Sequence, residues 1–350
     1  MLSDASGAVA ASTNETAVGH ANVGTDFGST DFGDTASVDT VVVGAGVIGL
    51  ATAWELRRRG LSVAVVDPHP GGGASRAAAG MIAPASEIRY QQSALHPLMT
   101  ASAGEYPGFV HSVEAAAGRD VGYRRTETLV CAVDPADGQA LADLQQFQVQ
   151  QGMQVEQLTG RAARVLEPAL TPRLAAAFRA AGDHQIDPRR LLAGLLAALD
   201  SPTHRPHALL VQQRAVALLR AEDGPRASGG LPADNGRVTG IRLADGRTIC
   251  AAETVLATGA TPGGIAGLSD TLQLPLRPVY GDILRTRLPA GSPPLIERTI
   301  RGLVNGVAVY LVPRVDGEIV IGATSREDAM AGVSAGGVFR LLRDAQALVP

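Results

Sequence analysis

The chain contains no lysine: all 30 of its basic residues are arginine. Schiff-base catalysis needs a lysine amine, and a Walker A phosphate loop needs its lysine, so neither is present. Only two cysteines occur, Cys131 and Cys250, far apart and outside any CxxC pair. A disulfide scaffold or a zinc ribbon is therefore not expected, and both read as reduced, buried, cytosolic thiols. The seven histidines form no ligand spacing such as HxxxH, so no metal is expected. No apolar run approaches the roughly 18 residues of a membrane span. The N-terminus lacks the basic start and apolar stretch of a secretory signal, and a cytoplasmic location is expected. Net charge is −4, so no basic field draws in nucleic acid.

With 350 residues and 45% hydrophobic content, the chain is long enough for two domains. Residues 1–37, rich in Ala, Gly, Ser, Thr and Asp without periodicity, read as a disordered tail. Order is expected from Val38. TVVV reads as a buried parallel strand, a helix follows from about Val47 to Arg59, and SVAVVD reads as a second strand. These make one βαβ unit. Further helices are expected over 97–118, 136–152 and 187–200, the last with Asp187 as N-cap and Pro188 at its first position. TETLVCAVD reads as a strand, and the region after 207 is strand-rich, with ADG at 244–246 as a turn. Arg57–Arg58–Arg59 reads as a solvated helix end.

The sharpest motif is Gly44-Ala45-Gly46-Val47-Ile48-Gly49, between the first strand and its helix. Gly44 permits the tight turn, Gly46 lets the backbone approach a pyrophosphate, and Gly49 packs helix on strand. Asp67, 23 residues after Gly44, suits the adenosine ribose hydroxyls. Directly after it comes PGGGASRAAAGMIAP, 70–84, a small-residue run that permits close approach to a large ligand. Its AAAGM part looks helical, and Ser75 and Arg76 are placed to meet phosphate. TVLATGA, 254–260, reads as another sheet strand whose turn, with Gly259, faces the cofactor crevice.

VVVGAGVIGL, GGASRAAAGM, ATGA, LRPVYGDIL and YLVPRVDGEIVIGAT together resemble the D-amino-acid oxidase superfamily of FAD flavoproteins, and within it the glycine oxidases of thiamine biosynthesis. The likeness runs from Val38 to Pro350. It implies a Rossmann-like α/β FAD-binding domain with a parallel sheet (38–92 and 186–262) and an α+β substrate domain on a mainly antiparallel sheet (93–185 and 263–350). It implies FAD contacts at Val47, Ile48, Asp67, Ala74, Ser75, Ala79, Gly80 and Met81, with the Val216 backbone at the adenine. It places Tyr310 at the substrate carboxylate. Ala308 stands where the family has a histidine. The implied partners are a small amino acid or secondary amine and dioxygen, with a homo-oligomer left open. The implied reaction passes a hydride from the substrate Cα to flavin N5. An imine results, then keto acid, ammonia and hydrogen peroxide. The family continues past LVP with a segment that supplies two substrate-side arginines and a second glycine-rich flavin loop. The chain is thus expected to be truncated at its C-terminus. A D-amino-acid dehydrogenase, a sarcosine oxidase and an inactive remnant stand as alternatives. If the chain is active, Arg301 or Arg314 is expected to bind the substrate.

Overall fold

The computed structural model describes residues 32–90, 92–202, 208–221, 236–260, 264–268, 275–328 and 332–350. The expected disordered tail falls outside the described residues up to position 31, and its end is ordered. Strand β1 (Thr35–Val43) begins before Val38, because Thr35–Ser37 pair with Thr248–Cys250. Helix α1 (Val47–Arg58) and strand β2 (Val63–Val66) complete the βαβ unit, and β1 pairs with β2 in parallel. Then come α2 (Ala74–Ala77), β3 (Met81–Ile82), α3 (His96–Ala117), β4 (Thr128–Ala132), α4 (Pro135–Gln150), β5 (Val155–Leu158), α5 (Gly160–Leu166), β6 (Ala176–Ala180), β7 (His184–Gln185) and α6 (Pro188–Asp200). The rest holds β8 (Leu209–Val211), β9 (Ala215–Arg220), β10 (Val238–Leu243), β11 (Thr248–Leu256), β12 (Ile283–Arg287), β13 (Thr299–Val304), β14 (Val307–Pro313), β15 (Glu318–Gly322) and α7 (Ala335–Leu348).

Two large sheets form. The first has the order β8-β2-β1-β11-β10-β9. Its four leading strands are parallel, and β10 and β9 add an antiparallel hairpin edge. Val41, Val42, Val63 and Ala64 are buried there, as a strand covered on both faces requires. The second sheet, β12-β15-β14-β13-β4-β6-β5, is antiparallel except where β13 runs parallel to β4. The α/β fold with one parallel and one mainly antiparallel sheet is as expected from the sequence.

Helix α6 joins the layers. Asp187 caps it by accepting from the Arg189 amide at 2.9 Å and the Arg190 amide at 3.2 Å. Leu191, Leu195 and Leu199 repeat every four residues and are buried in one core with Leu50 and Trp54 of α1 and Val110 and Val113 of α3.

Here the solvated reading of Arg57–Arg58–Arg59 holds for the exposed Arg58 and Arg59 and is corrected for Arg57. Arg57 is only 2% exposed. Its guanidinium donates to the Ala198 carbonyl at 2.8 Å, to the Leu199 carbonyl, and to the Ser201 carbonyl at 2.7 Å. These are carbonyls at the end of α6, where a cation also suits the helix dipole. Two smaller corrections follow. The AAAGM run is not helical: α2 covers ASRA, Gly80 takes φ +70°, and Met81 enters β3. Of the two free thiols, Cys131 is fully buried and Cys250 only half-buried.

Candidate dinucleotide and amine site

The turn from β1 into α1 is held from both sides. The Gly44 amide donates to the Val66 carbonyl of β2 at 2.8 Å, and the Ala257 amide after β11 donates to Val43 at 2.8 Å. Gly44 sits at φ +110°, where a Cβ would collide with the Ala257 carbonyl. A Cβ at Gly49 would collide with the Gly44 carbonyl. The first and last glycines of the motif are thus fixed by packing among strand ends. Gly46 differs. It is the extended N-cap of α1 and has no side chain of its own to cap the helix.

Two side chains close around this start. The Asp67 carboxylate accepts from the Ala45 amide at 2.7 Å and from the His69 amide at 2.7 Å. The Ser75 hydroxyl accepts from the Val47 amide at 3.0 Å. A Cβ at Gly46 would come within 3.2 Å of that hydroxyl, so the cradle tolerates little bulk. Ile48 is exposed beside it, and Gly259 lies in open space at φ +68°. A glycine-cleared helix N-terminus with a carboxylate at the end of the second strand fits the ADP half of a dinucleotide.

Ala74, Ser75, Ala79, Gly80 and Met81 run from this cradle towards the second sheet. Ala79 packs in one apolar cluster with Val312 and Val320, against Met81, Ile283 and Tyr310. The small-residue run therefore bridges the fingerprint and Tyr310. Val216 lies on β9, the edge strand of the first sheet, and its carbonyl accepts from the Ala266 amide at 2.9 Å.

Tyr310 lies on β14 between Arg301 of β13 and Gly322 of β15. Its ring covers Gly322, where any Cβ would collide with the hydroxyl. Burial pushes the Tyr310 hydroxyl up to about 12, while Arg301 and Arg285 pull it down and Glu87 pushes it up. It therefore stays a protonated donor at physiological pH. Arg301 is paired with Glu87 at 2.6 Å and reaches the Met81 sulfur at 3.7 Å. Arg285 pairs with Glu318 at 2.5 Å and donates to the Arg76, Ala77 and Ala78 carbonyls at 3.2–3.4 Å. Ala308, at the family's histidine position, is exposed.

Of the two arginines expected as substitute substrate ligands, Arg301 stands beside Tyr310, whereas the Arg314 side chain is committed to other protein groups. Arg314 is buried and donates to the Gln185 side-chain oxygen at 2.7 Å, to the Ile186 carbonyl at 3.0 Å and to the Ala79 carbonyl. Sequence reasoning missed Glu87 and Arg285, since neither sits in a motif. Only their positions close to the AAAGM run and to YGDIL hinted at the site. No group of metal-ligating residues occurs among the described residues, and no described helix is long and apolar enough to cross a membrane.

Residues 39–350 match the family described as FAD dependent oxidoreductase, and the chain belongs to that family. Its relatives include proteins named glycine oxidase. The chain is 32% identical over 305 residues to a glycine oxidase of Geobacillus kaustophilus, covering 86% of this chain and 74% of that protein. It is 30% identical to the bifunctional protein ThiO/ThiG of Trichormus variabilis, covering 80% of this chain but only 38% of that longer protein. The crystal structure of the Geobacillus kaustophilus glycine oxidase superposes with a TM-score of 0.76 at 30% identity, covering 90% of this chain and 79% of that one.

Proposed function

We propose that the chain is the amine-oxidising part of an FAD-dependent oxidase acting on glycine or another small amino acid or secondary amine. On this reading it serves the thiazole branch of thiamine biosynthesis in the cytoplasm. The observation that carries the reading is the meeting of Tyr310 and Arg301 with Met81 at the end of the small-residue run. The first sheet with α1 and α6 forms the cofactor domain, and the second sheet forms the substrate domain.

The ADP half of FAD is assigned to Gly44–Gly49, Asp67 and Ser75. The flavin half is assigned to Ala79–Met81. FAD, when bound, supplies a two-electron acceptor for the substrate Cα–H and hands the electrons to dioxygen as hydrogen peroxide. The chain's residues bind and orient. The Tyr310 hydroxyl donates a hydrogen bond to the substrate carboxylate. Arg301 offers the charge-assisted partner for the same group. Glu87 balances Arg301 before substrate arrives. No group is needed to abstract the Cα proton separately if the amine arrives neutral. Water then turns the imine into keto acid and ammonia.

The direct experiment pairs a flavin absorbance spectrum with a peroxidase-coupled assay on glycine, sarcosine and D-alanine. A yellow chain that yields peroxide from glycine supports the reading. A flavin-loaded chain that reduces an artificial acceptor but not dioxygen would move it to a dehydrogenase.

A further inference from the structure

Arg314 is a buried guanidinium with no carboxylate bonded to it. It leaves the end of β14 at 7% exposure, and its three acceptors are all neutral. Asp187, Glu318 and Asp316 lie near enough to act on it through space, yet none is its partner. A charge buried on neutral acceptors is costly. The reason for arginine here lies in which acceptors it joins.

Two of the three lie on strand β7 and the residue after it, and the third is Ala79. Strand β3 pairs with β7 through Met81 and Gln185. The Ile186 amide donates to the Gly80 carbonyl at 2.8 Å. Gly80 is held at φ +70°, where a Cβ would collide with the Ile186 carbonyl. Gln185 is itself fixed, since its side-chain amide donates to the Thr126 hydroxyl at 3.2 Å. The planar fork of Arg314 thus spans the Ala79 carbonyl on one side and Gln185–Ile186 on the other. Lysine carries its three donors on one nitrogen and cannot reproduce that two-nitrogen fork.

We propose that Arg314 is the positioning residue of the flavin loop: it reaches from the substrate sheet to fix the Ala79–Met81 backbone in the shape that receives the flavin half of FAD. This rests on the FAD reading of the site and not on the identity of the amine. It follows that the two halves of the dinucleotide are held by separate devices. The ADP half depends on Gly44–Gly49 and Asp67, which Arg314 does not touch. The flavin half depends on a side chain from the second sheet.

Calorimetric titration of the apo chain with FAD and with ADP separates the two. Arg314→Met should weaken FAD binding by about tenfold or more and leave ADP binding within about twofold. Arg314→Lys should fall between Arg314→Met and the parent chain. It should also alter the visible spectrum of bound flavin. Equal losses of FAD and ADP binding in both variants, including those caused by misfolding, would make Arg314 a general structural residue and overturn the proposal. So would FAD binding unchanged by either substitution, or a parent chain that takes up ADP but not FAD. A chain with the expected Arg314 dependence that yields no peroxide from any amine sinks the oxidase reading and leaves this one standing.

Discussion

The Ser75 hydroxyl accepts the Val47 amide proton at 3.0 Å, across 28 positions of sequence. This bond closes the small-residue run over the start of α1 and occupies one of the helix's orphan donors. Ser75→Ala removes the acceptor and frees the run from the fingerprint. The expected loss is about 0.5–1.5 kcal/mol of stability, with weaker FAD uptake. Urea unfolding of the apo chain measures the first quantity, and an unchanged midpoint would show that the bond contributes nothing.

Arg57 carries a larger expected effect. Its guanidinium satisfies three carbonyls at the end of α6 from inside the first core. Arg57→Met keeps the apolar stem and strips those carbonyls of their partners. The cost should be about 2–4 kcal/mol. Arg58→Met, on an exposed residue paired with Glu55 in the same helix, should cost under about 0.5 kcal/mol. Similar losses from both substitutions would contradict the cap.

The substrate side makes a kinetic prediction. Tyr310→Phe should raise the Michaelis constant for glycine about 3- to 10-fold with little change in turnover, the mark of lost uniform binding. Because its hydroxyl is pushed up to about 12, Tyr310 should contribute no ionisation to the pH–rate profile up to about pH 10. Arg301→Gln should raise the constant further. A fall in turnover with the Michaelis constant unchanged would take Tyr310 out of carboxylate binding.

Thiol labelling tests the packing of the second sheet. Cys131 is fully buried, and burial pushes its thiol up to about 12. Cys250 is half-buried. A thiolate-specific reagent at pH 8 should therefore modify Cys250 in the native chain and reach Cys131 only after denaturant is added. Equal labelling rates for both would mean that β4 opens in the native state.

Local signals in the sequence were enough for β1, α1 and β2, since a β-branched run, a glycine turn and a helix stop all lie within one unit. The Asp187 cap and the four-residue leucine spacing made α6 legible in the same way. What stayed hidden depends on distant partners. Strands β3 and β7 have two residues each and exist only through the pairing of Met81 with Gln185 and Ile82 with His184. The AAAGM run has helical propensity, but the Ile186 and Arg314 contacts hold it in another shape. Arg57 looked like a solvated helix end because its acceptors lie 141–144 positions away. Within the site, the fingerprint and Tyr310 were legible from motifs, whereas Glu87 and Arg285 became visible only through their ion pairs.

His184 makes stability depend on pH. It sits on β7 with its ring edge-on to Tyr123 at 5.9 Å, and its Nδ1 is buried without a partner. Burial lowers its pKa from the ordinary value of 6.5. Arg125 lowers it further, while Glu127 and the backbone at Asp183 oppose the shift. The unfolded chain therefore takes up a proton as pH falls through 6.5, and the folded chain does not until lower pH. Between those two points the unfolded state binds more protons, so stability is lost as pH falls. Most carboxylates titrate below this window, which keeps the histidine contribution separable. His184→Phe removes the titrating group and keeps an aromatic ring against Tyr123. Urea midpoints at pH 7.5 and 5.5 should drop for the parent chain and drop less for His184→Phe. Equal drops would place the pH sensitivity on another group and show that the His184 ring is protonated without cost in the fold.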